Sequence, residues 1–123
     1  MGFELKAIDH VQLAAPKASE DTARQFFVEV LEFNEVIKPE GVRNRGGVWF
    51  AKGAIQLHIG IEEPFIPSKK AHPAIEVAYI NELKTHLTAH HINYIEDEQI
   101  ENANRIFVDD PFGNRIEFIE WRK

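Results

Sequence analysis

The sequence predicts an α+β fold made of two copies of one βαβββ module, and three observations predict it. Short segments in which apolar and polar residues alternate, the pattern of strands, surround two segments with helical spacing. The order strand–helix–strand–strand–strand occurs twice in 123 residues. Finally, His72 follows His10 by 62 positions and Glu117 follows Gln56 by 61, an offset that indicates an internal repeat.

The first module is predicted to span residues 1–61. Residues 5–14 alternate as a strand, and Pro16 ends it. Ser19 is the predicted N-cap of a helix, because acidic residues follow it in the first turn, where the helix dipole favours them. The core-facing residues of this helix are predicted from their spacing to be Ala23, Phe26, Phe27, Val30 and Leu31. Three more strands are predicted at residues 34–37, 48–51 and 54–60.

A linker at residues 62–71 precedes the second module, which is predicted to span residues 72–123. Its helix is predicted to begin at Asn81 as the N-cap and to place Leu83 and Leu87 on the inner face. Residues 110–113, Asp-Pro-Phe-Gly, have the composition of a type I turn. The strands of this module are predicted at residues 72–80, 93–96, 104–109 and 115–121.

Composition excludes several classes of function. Fourteen basic residues against twenty acidic ones give a net charge of −6, so we expect no nucleic-acid partner. No apolar run approaches the roughly 18 residues of a membrane-spanning helix, and we expect no membrane partner. The absence of cysteine excludes disulfides, thiolate nucleophiles and thiolate metal sites. No signal peptide is visible at the N-terminus, and the expected location is the cytoplasm.

Imidazole and carboxylate groups lie on the polar faces of the predicted strands. Gln56 and His58 alternate with apolar neighbours, as Glu117 does, and His10 and His72 occupy the first strand of each module. A histidine on a half-buried strand is commonly a hydrogen-bonded structural residue. If these strands share one concave face, however, two imidazoles and a carboxylate would suit divalent iron, manganese, nickel, cobalt or zinc.

Three segments carry a resemblance to a known family. They are Ile-Asp-His-Val at residues 8–11, His-Pro-Ala-Ile-Glu-Val at 72–77 and Val-Asp-Asp-Pro-Phe-Gly-Asn-Arg-Ile-Glu at 108–117. The chain resembles, over nearly its whole length, the vicinal oxygen chelate superfamily, which includes glyoxalase I, extradiol dioxygenases, and fosfomycin- and bleomycin-resistance proteins. The resemblance implies a single domain at residues 1–123, in which the two modules form an open, incomplete barrel around a central cavity.

The resemblance also implies a set of site residues. It places His10, Gln56, His72 and Glu117 at the ligand positions of a divalent metal ion, which would be iron, manganese, nickel, cobalt or zinc. Glu117 would also take part in catalysis. His58, which shares the strand face of Gln56, is a candidate alternative metal ligand or proton carrier. Arg115, Lys69 and Lys70 are candidate substrate-binding residues, although a plain surface or linker role also suits each of them.

The expected function is that of a divalent-metal-dependent glyoxalase-like enzyme, of the lyase, isomerase or dioxygenase type. Its small-molecule substrate would be chelated through vicinal oxygens. The alternative is a protein that sequesters a small molecule without catalysis, as the bleomycin-resistance relatives do. A homodimer is expected, because family members commonly pair and because open sheets leave edge strands to cover.

In several places the sequence departs from the family pattern, and two of these departures bear on the expected cosubstrate and on proton transfer. Glycine is common where each helix ends, but Glu32 and His91 stand there. Ala14 and Ala15 end the first strand where glutathione-using relatives commonly have arginine, so glutathione is not the expected cosubstrate. Gln56 replaces a usual glutamate and cannot act as a carboxylate base.

Overall fold

Two βαβββ modules make up the computed structural model, which describes residues 2–122. The chain divides between Glu62 and Glu63 into two compact units, called unit 1 and unit 2 below. Each unit contains one four-stranded mixed sheet and one main helix. This confirms the predicted α+β class and the repeated module.

Unit 1 contains four strands, a main helix and a short 3₁₀ helix. The helix α1 (Glu20–Arg24) continues as a π-helical segment (Gln25–Val30), and the 3₁₀ helix is Glu40–Arg45. The sheet order is β1-β4-β3-β2, in which β1 and β4 are parallel and the other pairs are antiparallel. The strands are β1 (Val11–Ala15), β2 (Asn34–Val36), β3 (Val48–Lys52) and β4 (Ile55–Ile61).

Unit 2 repeats this topology. Its helix is α2 (Ile80–Ala89), and its sheet order is β5-β8-β7-β6, again with the first pair parallel. Within residues 2–122, no helix has both the length and the apolar character needed to cross a membrane. The strands are β5 (Ala74–Glu76), β6 (Ile95–Asp97), β7 (Ala103–Asp109) and β8 (Arg115–Trp121).

Aromatic packing forms the core of unit 1. Phe27 on the π-helical segment meets Phe26 edge-on at a centroid distance of 4.9 Å and stacks on Phe50 of β3 at 5.3 Å. Four residues of the predicted helical stripe are buried, namely Ala23, Phe26, Phe27 and Leu31, and Val30 is half-buried. Burial of each phenylalanine side chain contributes about 1.5–3 kcal/mol, which fixes the helix against the sheet.

The first strand of each module is shorter than predicted. The strand predicted at residues 5–14 begins only at Val11, and the one predicted at 72–80 is only Ala74–Glu76. Pairing explains the first difference. Val11 lies opposite Leu57, and β4 begins only two residues earlier, at Ile55. Residues before Val11 therefore have almost no partner strand, although their alternating pattern is that of a strand.

The predicted N-cap of the second helix was wrong. The helix begins at Ile80, so Asn81 lies inside its first turn. Glu120 of β8 provides the cap instead: its carboxylate oxygens accept hydrogen bonds from the backbone N–H groups of Tyr79 and Ile80 at 2.8 and 3.1 Å. This side chain lies 40 positions away along the chain, which a local reading of the sequence does not consider.

The turn before β8 is held by Asp110, as the Asp-Pro-Phe-Gly sequence predicts. The Gly113 N–H donates to the Asp110 carbonyl oxygen at 3.1 Å, which closes the turn. The Asp110 carboxylate accepts hydrogen bonds from the backbone N–H groups of Phe112 and Asn114 and from the Asn114 side chain, all within 2.9 Å. Burial nevertheless raises the pKa of Asp110. This turn sets where β8 and its polar side chains begin.

Both unusual helix exits use left-handed backbone. Glu32 and His91, which stand where family members commonly have glycine, have φ angles of 63° and 61°. This region favours glycine, since a Cβ atom is crowded there. The chain therefore places non-glycine residues in backbone that favours glycine.

Candidate functional site

Three stacked rings lie on the polar face of the unit 1 sheet. Trp49 of β3 and His58 of β4 are cross-strand partners, and their rings are nearly parallel, 5° apart in tilt and 3.8 Å between centroids. The ring of His10, which precedes β1, also stacks on the ring of His58, with 4.1 Å between the centroids. The stack holds the plane of the His58 ring, and it assigns Trp49 a position in the candidate site that the sequence did not predict.

His58 is the most buried titratable group of this stack. Its side chain is nearly inaccessible, and within residues 2–122 its Nδ1 atom has no hydrogen-bond partner. Burial lowers the pKa of His58, and the nearby His10 lowers it further, while Asp9 acts in the opposite direction. The imidazole is therefore neutral near pH 7, with one ring nitrogen able to accept a proton.

The other two predicted site residues of unit 1 are His10, which belongs to this stack, and Gln56. His10 precedes β1, and its Nδ1 atom lies 2.9 Å from the Asp9 carboxylate. Its side chain is 40% exposed. Gln56 is half-buried two positions before His58 on β4, so the two side chains share a face of the strand.

In unit 2, His72 and Glu117 contact each other directly. The Nε2 atom of His72 lies 2.8 Å from Oε1 of Glu117, which is 6% exposed. The Nδ1 atom of His72 lies 2.8 Å from the Lys70 carbonyl oxygen, which can only accept a hydrogen bond. Nδ1 therefore carries a proton, and Nε2 is the nitrogen that faces the carboxylate.

Arg105 is a site residue that the sequence analysis missed. Its Nη1 atom lies 3.4 Å from the second carboxylate oxygen of Glu117, and its Nη2 atom lies 3.2 Å from Asp97. The guanidinium is mostly buried. The available signal was alternation on β7, where Arg105, Phe107 and Asp109 occupy one face, with Phe107 directly opposite Glu117 in the register.

Phe107 contacts several charged groups of this face. The His72 ring meets it edge-on at 5.5 Å. The guanidinium carbons of Arg105 and Arg115 each lie 5.2 Å from its centroid, within the range of cation–π contacts. Phe107 thus links the His72–Glu117 pair to Arg115.

A cavity of about 550 Å³ opens beside Phe107 within unit 2. Arg115, one of the three predicted substrate-binding residues, lines it. The Lys69 amine instead donates to the Gly113 carbonyl oxygen at 2.6 Å and pairs with Asp109 at 3.3 Å, while Lys70 contributes its carbonyl to His72. The other lining residues are His91, Ile92, Asn93, Tyr94, Ile95, Asp97, Phe107 and Asp109.

The two predicted first-strand histidines occupy different positions in their sheets. Phe118 follows Leu57 by 61 positions, but their parallel partners Ile75 and Val11 are 64 apart. The offset of 62 between His10 and His72 therefore does not match the register. This explains why His10 stacks on His58 whereas His72 bonds to Glu117.

Within the described part of the chain, no group of three or more histidine, aspartate or glutamate side chains is arranged to hold a metal ion. The structure brings together His10 with His58 and, separately, His72 with Glu117. The full ligand set His10, Gln56, His72 and Glu117 stays a prediction.

Solved structures similar to this chain come from several bacteria. A glyoxalase family protein from Bacillus anthracis is 45% identical, with a TM-score of 0.95, over 99% of this chain and 100% of that one. Lactoylglutathione lyase from Agrobacterium tumefaciens is 23% identical, with a TM-score of 0.74, over 94% of each chain. The fosfomycin resistance protein FosX from Listeria monocytogenes is 12% identical, with a TM-score of 0.75, over 95% of this chain and 94% of that one. No protein-family model and no curated protein matches.

Proposed function

The chain belongs to the glyoxalase family of the vicinal oxygen chelate superfamily, and on this premise we propose that it is a divalent-metal-dependent enzyme. Its substrate is a small molecule bound through two neighbouring oxygens. The single observation that carries the proposal is the 2.8 Å contact between Nε2 of His72 and Oε1 of Glu117.

The donor atoms of this pair fit a metal ion. The Lys70 carbonyl accepts the Nδ1 proton of His72, which leaves Nε2 to face Oε1 of Glu117 at 2.8 Å. An imidazole nitrogen and a carboxylate oxygen placed side by side can share a proton or bind a divalent metal ion. A backbone carbonyl bonded to the far nitrogen is also the usual support of a metal-binding histidine.

We propose His10 and Gln56 as the remaining ligands, as the family resemblance implies. Imidazole, carboxylate and amide donors suit manganese, iron, cobalt, nickel or zinc. When bound, the metal ion supplies Lewis acidity to the two substrate oxygens.

The chain's own residues supply proton transfer and orientation. His58 accepts the substrate proton at a ring nitrogen, because its lowered pKa keeps it neutral near pH 7. Trp49 and His10 hold its ring plane from either side. Arg105 holds the second oxygen of Glu117, which directs Oε1 towards His72.

Metal analysis of the purified protein tests the proposal. We expect one of the five divalent metals to copurify or to bind in calorimetric titrations. The double variant His72→Ala/Glu117→Ala should lower the affinity for the metal ion about a hundredfold or more, since it removes one imidazole ligand and one carboxylate ligand. His90→Ala is the matched control, because it removes a histidine outside the proposed site.

Two outcomes would contradict the proposal. Unchanged metal affinity in the double variant would show that the ligands are assigned wrongly. A protein that binds no divalent metal even after reconstitution would favour the sequestering alternative.

We also propose that the protein is a homodimer. Phe3, Leu5 and Ile8 precede β1 and are 90%, 89% and 84% exposed. Three large apolar side chains within six residues are costly to leave in water, and a second copy of the chain is the proposed cover.

A further inference from the structure

We propose that the unit 2 cavity recognises small organic acids, with Arg115 pairing to the carboxylate and Phe107 contacting the apolar part of the molecule. This rests on the proposed function, because Phe107, which lines the cavity, also contacts the ring of His72, and the cavity would hold the substrate. Recognition of the acid by Arg115 itself requires no metal ion, so the two proposals can fail separately.

The charges in the cavity leave Arg115 without an ionic partner. Asp109 lies directly across from Arg115 in the β7–β8 register, yet its carboxylate pairs with Lys69 at 3.3 Å. Asp97, the other acid of the cavity, pairs with Arg105 at 3.2 Å. Among the residues that the structure describes, no carboxylate lies within ion-pair distance of the Arg115 guanidinium.

Phe107 holds the guanidinium of Arg115 in place. Their separation of 5.2 Å is that of a cation–π contact, and Arg115 is half-buried. A planar guanidinium held in this way offers a carboxylate two parallel hydrogen bonds. The guanidinium of Arg115 is therefore oriented for an anion before the anion binds.

The remaining walls favour an apolar body on that anion. Ile92, Tyr94 and Ile95 line the cavity together with Phe107. Ile95 is 69% exposed, and a ligand that covered it would remove apolar surface from water. A volume of about 550 Å³ is within the range of small-molecule sites.

The strand geometry sets where the acid lies relative to the candidate reaction centre. Arg115 and Glu117 are two residues apart on β8 and on the same face, which separates their Cα atoms by about 7 Å. The proposal therefore assigns the carboxylate of the substrate to Arg115 and two further oxygens to the chelate. The substrate class is a small acid with its reactive oxygens several bonds away from the carboxylate.

Binding of benzoate to the full-length protein tests this inference. Isothermal titration would be run with benzoate and with its neutral analogue benzyl alcohol, both before and after treatment with EDTA. We expect benzoate to bind more tightly than benzyl alcohol, and EDTA to leave its affinity unchanged. Arg115→Gln should weaken benzoate binding about tenfold or more, and Arg115→Lys should restore part of it.

Two further variants check the charge argument. Asp109→Asn removes the negative charge across from Arg115 and should strengthen benzoate binding by about two- to fivefold, the range of exposed charge pairs. Arg122→Gln removes an exposed arginine elsewhere in unit 2 and should leave the affinity for benzoate unchanged. Thermal unfolding of each variant shows whether it is folded.

Several results would overturn the inference. They are equal affinities for benzoate and benzyl alcohol, a folded Arg115→Gln protein that binds benzoate as the wild type does, and benzoate binding that EDTA abolishes. If benzoate binds as expected but no metal ion does, the proposed enzyme function fails and this inference stands.

Discussion

Arg105 contacts Glu117 through the carboxylate oxygen that His72 does not contact, with Nη1 and Oε2 3.4 Å apart. The same guanidinium pairs with Asp97, so a single, mostly buried cation pairs with acids on the two strands that flank its own. Removing only one member of such an ion pair is strongly destabilising, because the partner is then left charged in a buried position.

Breaking this pair should destabilise unit 2. Arg105→Met leaves both carboxylates without their cation, and we expect a loss of about 2–3 kcal/mol in the free energy of unfolding. The double variant Arg105→Met/Glu117→Gln should lose about 1 kcal/mol less stability than the sum of the losses of its two single variants, since both charges are removed. Urea denaturation at pH 7 measures the stability of Arg105→Met, Glu117→Gln and the double variant. Strict additivity would mean that the contact contributes nothing.

The turn before β8 offers a matched comparison of two adjacent aspartates. Asp110→Ala removes the acceptor of three hydrogen bonds and should cost about 2–3 kcal/mol of unfolding free energy. Asp109→Ala removes one exposed ion pair and should cost about 0.5 kcal/mol or less. Equal losses in chemical denaturation would show that the turn does not depend on the Asp110 carboxylate.

Glu20 should make stability depend on pH. Its carboxylate accepts a hydrogen bond from the Gly47 N–H at 2.8 Å, and this bond is the main reason that its pKa lies below the ordinary value of 4.5. The unfolded chain therefore binds the proton more tightly than the folded chain does. The stabilisation is present above pH 4.5 and is lost as the pH falls below it, through the lower folded pKa.

The variant Glu20→Gln isolates this effect. We expect it to be less stable than the wild type at pH 6–7, and the difference to shrink as the pH falls below 4.5. Thermal unfolding measured across this pH range provides the comparison. A difference that stayed constant down to pH 3 would exclude the carboxylate as its source.

Glutathione should not be the natural cosubstrate. The first strand ends in Ala14-Ala15, without an arginine to pair with the carboxylates of a thiol adduct. We expect kcat/KM for the methylglyoxal–glutathione hemithioacetal to stay below about 10⁴ M⁻¹s⁻¹, the low end for ordinary enzymes, with each of the five metals. A higher value in steady-state assays with any metal would contradict this.

The exposed residues before β1 should drive dimer formation. We expect a mass of twice 14.1 kDa in sedimentation experiments. Phe3→Glu/Leu5→Glu should shift the equilibrium towards the monomer by placing charges where apolar contacts are proposed. Ile37→Glu alters another side chain that is 83% exposed and serves as the control. A monomer at all concentrations from micromolar to millimolar would rule the dimer out.

Local patterns predicted most of the fold. Helical spacing identified Phe26 and Phe27 as core residues, and alternation identified β3, β4, β7 and β8, because these strands have partners along most of their length. The strand predicted at residues 5–14 was too long at its start, because a strand ends where its partner ends and no local pattern contains that information. The cap of α2 by Glu120 was missed for the same reason.

The candidate-site residues named from the sequence are those with recognisable metal-binding or acid–base chemistry. Histidines and Glu117 stand out in a sequence because their side chains carry recognisable chemistry. Trp49, Phe107 and Arg105 do not, because their roles depend on cross-strand neighbours. Trp49 lies opposite His58 and Phe107 opposite Glu117 only once the hairpin registers are known.

The parallel pairing of β5 with β8 has a consequence for folding kinetics. His72 and Glu117 are 45 positions apart, and they meet only when this long-range pairing closes. The β7–β8 hairpin closes a far shorter loop and should form earlier. In stopped-flow refolding, substitutions in the hairpin should therefore slow folding, whereas substitutions at the His72–Glu117 contact should mainly accelerate unfolding.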